Sequence, residues 1–178
     1  TGWSVANGQI DLAIIGGQLP SDLENLLQVI PYATDELALV LPSKHLFSQK
    51  KELLKEDLYK LNFVTLDSQS TTRKVVDNLL QDSGLDIQRL KIEMELNSLE
   101  AIKNAVQSGL GASFLPVLSI ERELAGGTIH KAFVADLEVK RQLKLITNPS
   151  RYTSRASEVF KKNILPQFAS LESPLRQF

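Results

Sequence analysis

The chain has 178 residues with 20 basic and 21 acidic side chains, and its formal net charge of −1 offers no basic surface of the kind that binds nucleic acid. It contains no cysteine, which excludes disulfides, thiolate metal ligands and a cysteine nucleophile. Its 43% hydrophobic content is typical of a globular protein of one domain or two small lobes. No apolar run approaches the roughly 18 residues that cross a bilayer, and we expect a cytoplasmic protein.

The first elements predicted along the chain are the end of a helix and a strand. Residues 1–7 are assigned to the helix, because Gly8 follows at the position where helices commonly end. Residues 10–15 form an almost continuous apolar run, which predicts a strand buried on both faces of a sheet. It ends at Gly16 and Gly17, where ligands of open α/β sheets bind, although a tight turn explains the pair equally well.

Extended structure is predicted next, followed by a short helix. Residues 26–32 and 36–41 are predicted as two strands separated by residues 33–35. Residues 42–45 contain a proline that breaks the pattern, and residues 50–58 are predicted as a short polar helix.

The stretch from Phe63 to Gly84 carries the strongest candidate for a binding site. Residues 61–66 predict a buried strand and residues 67–72 a polar loop. Apolar residues at helical spacing then predict a helix that stops at Gly84, namely Val75, Val76, Leu79 and Leu80. The start of a helix presents unpaired backbone N–H groups and a partial positive charge, which together favour an anion.

The side chains around this helix start also suit a phosphate or a carboxylate. Hydroxyl, amide and guanidinium donors stand at Ser68, Gln69, Ser70, Thr71, Thr72 and Arg73. A second interpretation stays open, because serine and threonine are the ordinary N-cap residues of helices, and a cap is the more common role.

Strands and helices alternate through the second half of the chain. Strands are predicted at residues 91–96, 112–115, 129–133 and 142–146. Pro116 is placed in the first turn of a helix that runs to Leu124. This alternation predicts an α/β fold with mostly parallel sheets.

Two further helices are predicted from capping and periodicity. Asn97 and Glu100 form a capping box that starts a helix with Leu99, Ile102 and Val106 on its apolar face, ended by Gly109 and Gly111. A last amphipathic helix contains Ala156, Val159, Phe160 and Ile164 and ends near Pro166.

The sequence contains no pattern typical of a catalytic or metal-binding site. The two histidines, His45 and His130, have no ligand at metal-site spacing, and no serine lies in a nucleophile elbow. The glycine pairs do not form a nucleotide-binding motif, and acidic neighbours such as Glu93 and Glu95 are better explained as a solvated face. We therefore predict no catalytic residue, no metal ligand and no cofactor, and we do not expect an enzyme.

Three segments in family order resemble the effector-binding domain of LysR-type transcriptional regulators. They are residues 5–14 (VANGQIDLAI), 37–45 (LALVLPSKH) and 106–116 (VQSGLGASFLP), of which the last is the most specific. The segment WSVANGQIDLAIIGG is most similar to the cyanobacterial and plastid branch of this family, which regulates the rubisco operon. The resemblance covers Trp3 to about Phe168.

The resemblance implies an α/β fold like that of type 2 periplasmic binding proteins, with two lobes joined by two crossing strands and an effector in the cleft. Residues 1–41 with 146–178 would form lobe I, incomplete at its N-terminus, and residues 42–145 would form lobe II. The family's effector contacts fall on the loop matching residues 68–71, the first-lobe edge at Gly16 and Gly17, and Pro116. One departure is Leu46, where the family pattern has proline.

The resemblance also implies a sensor of small metabolites. The expected effector is a small anionic metabolite, a sugar phosphate or an organic acid, and the expected assembly is a homodimer or tetramer. DNA would be bound only through an N-terminal winged helix-turn-helix domain that this sequence lacks, and no membrane contact is expected. The compartment would be the cytoplasm, or the plastid stroma for a plastid-encoded protein. A transporter's solute-binding protein and an enzyme on the same fold are the alternatives.

Overall fold

A computed structural model describes residues 1–163, which divide into two compact units. The first unit contains residues 1–34 and the described residues from 141 onward, and the second contains residues 35–140. The helices are α1 (Gly2–Ala6), α2 (Ser21–Glu24), α3 (Thr71–Asp82), α4 (Leu99–Gln107), α5 (Glu121–Ala125) and α6 (Arg155–Asn163). The strands are β1 (Leu12–Ile15), β2 (Gln28–Pro42), β3 (Asn62–Leu66), β4 (Lys91–Leu96), β5 (Ser113–Pro116), β6 (Ile129–Ala132) and β7 (Lys140–Thr147).

The first unit is built on β1, which pairs antiparallel with β7. Helix α1 ends as predicted, with Gly8 at a φ of 74° just beyond it. The predicted burial of β1 on both faces is wrong, because Ala13 and Ile15 pack against the core whereas Ile14 points to the opposite face and is 40% exposed. The buried core of this unit is Val5, Ala6, Leu23, Leu27 and Ile146.

In the second unit, β2 lies between β5 and β6 and pairs antiparallel with both. Strands β3 and β4 pair in parallel. The predicted mostly parallel arrangement is therefore wrong, although the α/β class is right. The alternation of strands and helices along the chain indicates parallel pairing only where successive strands become neighbours in the sheet. β5 and β6 do not pair with each other but with the earlier strand β2, and both are antiparallel to it.

Strand β2 is a single strand of 15 residues where the sequence predicted two. Residues 33–35 contain neither glycine nor proline, and the backbone stays extended through them. The division between the two units falls inside β2 after Thr34 and inside β7 after Lys140. The predicted lobe boundaries at residues 41 and 145 lie in the same two strands at later positions, and the assignment of lobes stays a prediction.

Two buried apolar clusters hold the second unit together. One contains Phe63 with Leu39, Leu41 and Leu80, and the partly buried Phe114 packs against it. The other cluster packs α4 onto the sheet and contains Ile102 and Val106, with Leu99 against it, which confirms the predicted apolar face of α4. Further members of this cluster include Val40, Val64, Leu115 and Ile120.

Several element ends differ from their predicted positions. Helix α4 is capped by the Ser98 side chain and not by Asn97, because the backbone turns into the helix one residue later. Pro116 is the last residue of β5, and a single 3-10 turn at Val117–Ser119 separates it from α5. In α6, Val159 and Phe160 are exposed, whereas the predicted members Ile164 and Pro166 lie outside the described residues.

The predicted helix at residues 50–58 is replaced by extended chain and a 3-10 helix, Lys55–Lys60. The extended part is held by Leu53, whose backbone bonds with Phe133 and Ala135. Within residues 1–163, no helix is long and apolar enough to cross a membrane.

A buried carboxylate fixes the 3-10 helix. Asp57 lies 2.7 Å from Lys60 Nζ and 3.1 Å from Lys50 Nζ, and it also accepts the backbone N–H of Leu54. The Lys60 ammonium, together with Lys50 and the Leu54 N–H, lowers the pKa of Asp57 to about 2 in spite of the opposing effect of burial.

Acid should therefore weaken this part of the second unit. Because the folded pKa of Asp57 lies below its unfolded value, the stabilisation is complete above about pH 4 and is lost as the pH falls toward about 2. Chemical unfolding of wild type and Asp57→Asn at several pH values measures this effect. The variant should be less stable at pH 7, and the difference should shrink below pH 4; a difference constant with pH would contradict the assignment.

Candidate anion-binding site

Three strands of the second unit end at one edge. β3 and β4 run parallel from Asn62 beside Lys91 to Leu66 beside Leu96, and a parallel bridge joins Phe63 to Ala112, just before β5. Parallel strands have their carboxyl ends at the same edge of a sheet. The loop after Leu66 and the end of β5 at Pro116 therefore share that edge, although they are distant in sequence.

The loop between β3 and α3 is a compact turn. The Asp67 N–H donates to the carbonyl of Leu96 at 3.0 Å, which ties the loop to the end of β4. The Asp67 carboxylate accepts the Gln69 N–H at 2.9 Å, and its carbonyl accepts the Ser70 N–H at 3.0 Å. Ser68 and Gln69 are left exposed at the tip of the turn.

Helix α3 starts at Thr71, two residues earlier than the predicted loop of residues 67–72 allowed, and Ser70 is its N-cap. The Ser70 hydroxyl oxygen accepts the Arg73 N–H at 3.5 Å, and the Ser70 carbonyl accepts the Lys74 N–H at 3.0 Å. Thr71 and Thr72 are the first two helical residues, and Thr71 is exposed. The cap is therefore present, and it leaves the first turn of the helix accessible at the edge where the strands end. Use of that turn by an anion stays a prediction.

Arg73 is engaged by groups of the second unit itself. Its Nε lies 2.8 Å from both carboxylate oxygens of Asp77, and its Nη1 donates to the Thr65 hydroxyl and, at 3.3 Å, to the Leu66 carbonyl. Glu95 lies 3.5 Å from the same nitrogen, and the Arg73 side chain is only 14% exposed. Two carboxylates thus balance its charge, so Arg73 has less attraction for an added anion than an isolated guanidinium.

The Arg73 contacts were partly within reach of sequence analysis. Asp77 stands four residues after Arg73, the spacing of ion pairs on a helix. Glu95 and Thr65 come from β4 and β3, and no local pattern connects them with Arg73. The arrangement ties the first turn of α3 to the ends of both strands.

Pro116 is buried at the end of β5. Its carbonyl accepts the Ser119 hydroxyl at 2.7 Å, which closes the turn after the strand. Opposite it across the antiparallel pair lies Leu37 of β2. Pro116 thus shapes the edge near the loop, and direct contact with a ligand stays a prediction.

In the first unit, Gly16 and Gly17 follow β1 as predicted, and Gly17 is buried. A Cβ on Gly16 would lie 3.0 Å from Cδ, 3.1 Å from Nε and 3.2 Å from Cζ of Arg141. Sequence analysis missed this arginine, because no local signal links the start of β7 with the end of β1.

Neither histidine takes part in a polar cluster typical of catalysis. The His45 Nδ1 accepts the Phe47 N–H at 3.1 Å and so caps a 3-10 turn, and His130 lies in β6 opposite Leu41. Among the described residues, no group of three or more histidine, cysteine, aspartate or glutamate side chains is placed to hold a metal ion.

Two α/β units, with β2 and β7 each passing from one to the other, define the class of periplasmic-binding-protein-like domains. Residues 3–169 match the family described as LysR substrate binding domain. The chain belongs to this family.

Relatives named as probable RuBisCO transcriptional regulators are similar over nearly all of the chain. A probable RuBisCO transcriptional regulator of Trichormus variabilis is 59% identical over 170 residues, which are 96% of this chain and 50% of the relative. The protein of the same name from Porphyra purpurea is 56% identical over 168 residues, 94% of this chain and 53% of that protein. The chain thus spans about half the length of these relatives, as the two coverages of 50% and 53% show.

Solved structures share the fold. The CcmR regulatory domain of Synechocystis PCC6803, in complex with 2-PG, has a TM-score of 0.78 at 23% identity, over 94% of this chain and 77% of that one. The effector binding domain of QuiR, in complex with shikimate, has a TM-score of 0.73 at 22% identity, over 93% of this chain and 73% of that one. The α/β fold is therefore that of LysR regulatory domains.

Proposed function

We propose that this chain is the effector-sensing part of a LysR-type regulator and that it binds a small anionic metabolite. The observation that carries the proposal is the position of the exposed first turn of α3, which lies at the edge shared by β3, β4 and β5. The chain's membership of the LysR substrate binding domain family gives this edge its proposed role. The proposed effector contacts are Ser68, Gln69, Ser70, Thr71 and Thr72, with Pro116 at the same edge and Gly16 and Gly17 in the first unit.

The proposed ligand is a sugar phosphate or an organic acid. Thr71 offers an exposed hydroxyl at the positive end of α3, and Ser68 offers another at the tip of the loop. The loop presents no aromatic side chain that would stack on a neutral ring. Support from other proteins is general: CcmR and QuiR were solved with 2-PG and with shikimate.

Arg73 takes a supporting role in this proposal. Its guanidinium is committed to Asp77, Thr65 and the Leu66 carbonyl, so it holds the first turn of α3 against the strand ends. A rigid loop loses less conformational entropy when a ligand binds. Arg73 would then act on affinity through the position of Ser70 and Thr71.

The names of the relatives support control of carbon-fixation genes as the wider role. Those relatives are transcriptional regulators and not enzymes, and the alternative of a transporter's solute-binding protein finds no support among them. In the proposed assembly, homodimers or tetramers in the cytoplasm or the plastid stroma bind DNA through a winged helix-turn-helix domain outside this chain.

Thermal unfolding with added metabolites tests the proposal, since a ligand that binds only the native state raises the melting temperature. We expect Tm to rise with a sugar phosphate or a 2-oxo acid and to stay unchanged with a neutral sugar. Thr71→Ala should weaken binding of that anion by roughly tenfold, the loss expected for one hydrogen bond to a charged group.

A matched control lies on the same helix. Asn78 is exposed two turns after Thr71 on the same face of α3, so Asn78→Ala should leave the affinity for the anion unchanged. If no anion raises Tm, or if the two variants bind equally well, the α3 site is refuted and Ser70 is a helix cap alone.

A further inference from the structure

Gly16 has no conformational reason to be glycine. The positive-φ glycines of the described chain are Gly8, Gly84, Gly109 and Gly127, so the backbone at Gly16 is one that other residues adopt. The position is distinguished instead by the lack of room for a side chain at Gly16. The stem and guanidinium of Arg141 occupy the volume of a side chain at Gly16, with Cδ at 3.0 Å and Cζ at 3.2 Å from the Cβ position.

The strand register explains this contact. β1 and β7 are antiparallel, with Ile15 opposite Lys144, so continuing the alternation puts Gly16 on the face opposite to that of Lys144. Arg141 lies three residues before Lys144 and shares the face of Gly16. The carboxyl end of β1 thus carries a part-buried guanidinium directly beside the predicted Gly16–Gly17 edge.

We propose that Arg141 is the first unit's ligand for a carboxylate or phosphate group, and that Gly16 is the positioning residue that gives the guanidinium its place. This inference rests on the proposed function, which it deepens by assigning a cation to the first unit. A guanidinium has five N–H donors in a planar fork, so it can bond to a protein acceptor and to an oxyanion together.

Two other cations of the first unit, Lys144 and Arg151, are placed differently. Lys144 pairs with Ile15 on the opposite face, and the stem of Arg151 passes Gly8, before β1 begins. Of these three cations, Arg141 is the one whose guanidinium lies beside Gly16, just after β1.

Titration of the ¹⁵N-labelled protein with inorganic phosphate, a sugar phosphate and a 2-oxo acid tests the assignment, with a neutral sugar as the blank. The amide signals of Gly16 and Gly17 should move with an anion and not with the sugar. Arg141→Gln should weaken anion binding by roughly tenfold or more, and Arg141→Lys by less, because lysine keeps the charge without the fork.

Two further variants separate position from charge. Gly16→Ala keeps the guanidinium but displaces it, so it should weaken binding several-fold while Tm without ligand stays near that of wild type, since a flexible side chain can move aside. Lys144→Gln removes a charge from the same strand on the opposite face, and binding should be unchanged.

The outcomes distinguish this inference from the proposed function. Suppose the Thr71 amide signal moves with the anion, the Gly16 signal does not, and Arg141→Gln leaves the anion affinity unchanged. The Arg141 assignment is then overturned and the α3 site stands. If Gly16 responds and Thr71 does not, the α3 site is overturned and Arg141 stands. If neither responds to any anion, both are overturned.

Discussion

Phe63→Ala is expected to lower the free energy of unfolding by about 4 kcal/mol, the middle of the range for removing a buried phenyl ring. Phe63 is 2% exposed and lies in the larger apolar cluster of the second unit. Its ring stacks on Phe114 with centroids 6.2 Å apart and planes at 4°, so the change leaves a cavity between β3 and β5. Urea unfolding followed by circular dichroism measures the loss.

The chain offers a matched control for this change. Phe133 follows the last residue of β6 and is 60% exposed, so the same substitution there removes little buried surface. Phe133→Ala should therefore cost less than about 1 kcal/mol. Equal losses in the two variants would show that the free energy depends on phenyl removal in general and not on the cluster around Phe63.

The effect of Phe63→Ala should extend to the site. β3 carries Phe63 in its buried part and leads at Leu66 into the loop before α3. A cavity behind the strand loosens the loop and the first turn of α3, so anion affinity should fall even under conditions where the variant is folded. Binding measured well below the variant's Tm tests this, with Phe133→Ala again as the reference.

Elements specified by local pattern were the ones predicted well. β3, α3 and β4 follow from an apolar run, helical spacing with a serine cap, and alternation, and the structure places them at Asn62–Leu66, Thr71–Asp82 and Lys91–Leu96. Each signal lies within the element that it specifies. The loop was predicted at residues 67–72 and observed at residues 67–70; it was recognisable because its turn and cap bonds join residues at most four apart.

Features that depend on distant partners were predicted poorly. β2 continues through residues 33–35 in a sheet where β7 is its neighbour, and no residue near those positions indicates this long-range pairing. The same holds for the candidate site. Arg141 comes to Gly16 through the pairing of β1 with β7, and Glu95 comes to Arg73 through the pairing of β3 with β4.

A buried ion pair joins α4 to the segment after β5. Lys103, whose side chain is 9% exposed, lies 2.9 Å from Glu123 and 2.7 Å from Glu100, and it donates to the Ser119 carbonyl at 3.1 Å. The hydrogen bonds that the Lys103 ammonium donates to Glu100 and Glu123 raise the pKa of Lys103, and the same ammonium lowers the pKa of Glu123. Since the Ser119 hydroxyl closes the turn on Pro116, this lysine supports the edge where β5 ends.

Lys103→Met should destabilise the protein by about 3 kcal/mol, because it leaves the largely buried Glu123 carboxylate without its cation. Glu100 is 75% exposed and is solvated in either protein, so Glu100→Gln serves as the control and should cost less than about 1 kcal/mol. Urea unfolding at pH 7 gives both values.

The double variant Lys103→Met/Glu123→Met separates the pair from its surroundings. It removes both charges, so we expect it to recover most of the stability that Lys103→Met loses. The pH dependence gives an independent sign. Wild type loses the Glu123 contribution as the pH falls below 4.5, the ordinary pKa of glutamate, whereas the single variant gains stability when its unpaired Glu123 is protonated; the stability gap between them should therefore narrow as the pH falls through that value. A gap that is unchanged with pH, together with a double variant as unstable as the single one, would mean that Lys103 acts through packing of its stem and not through its charge.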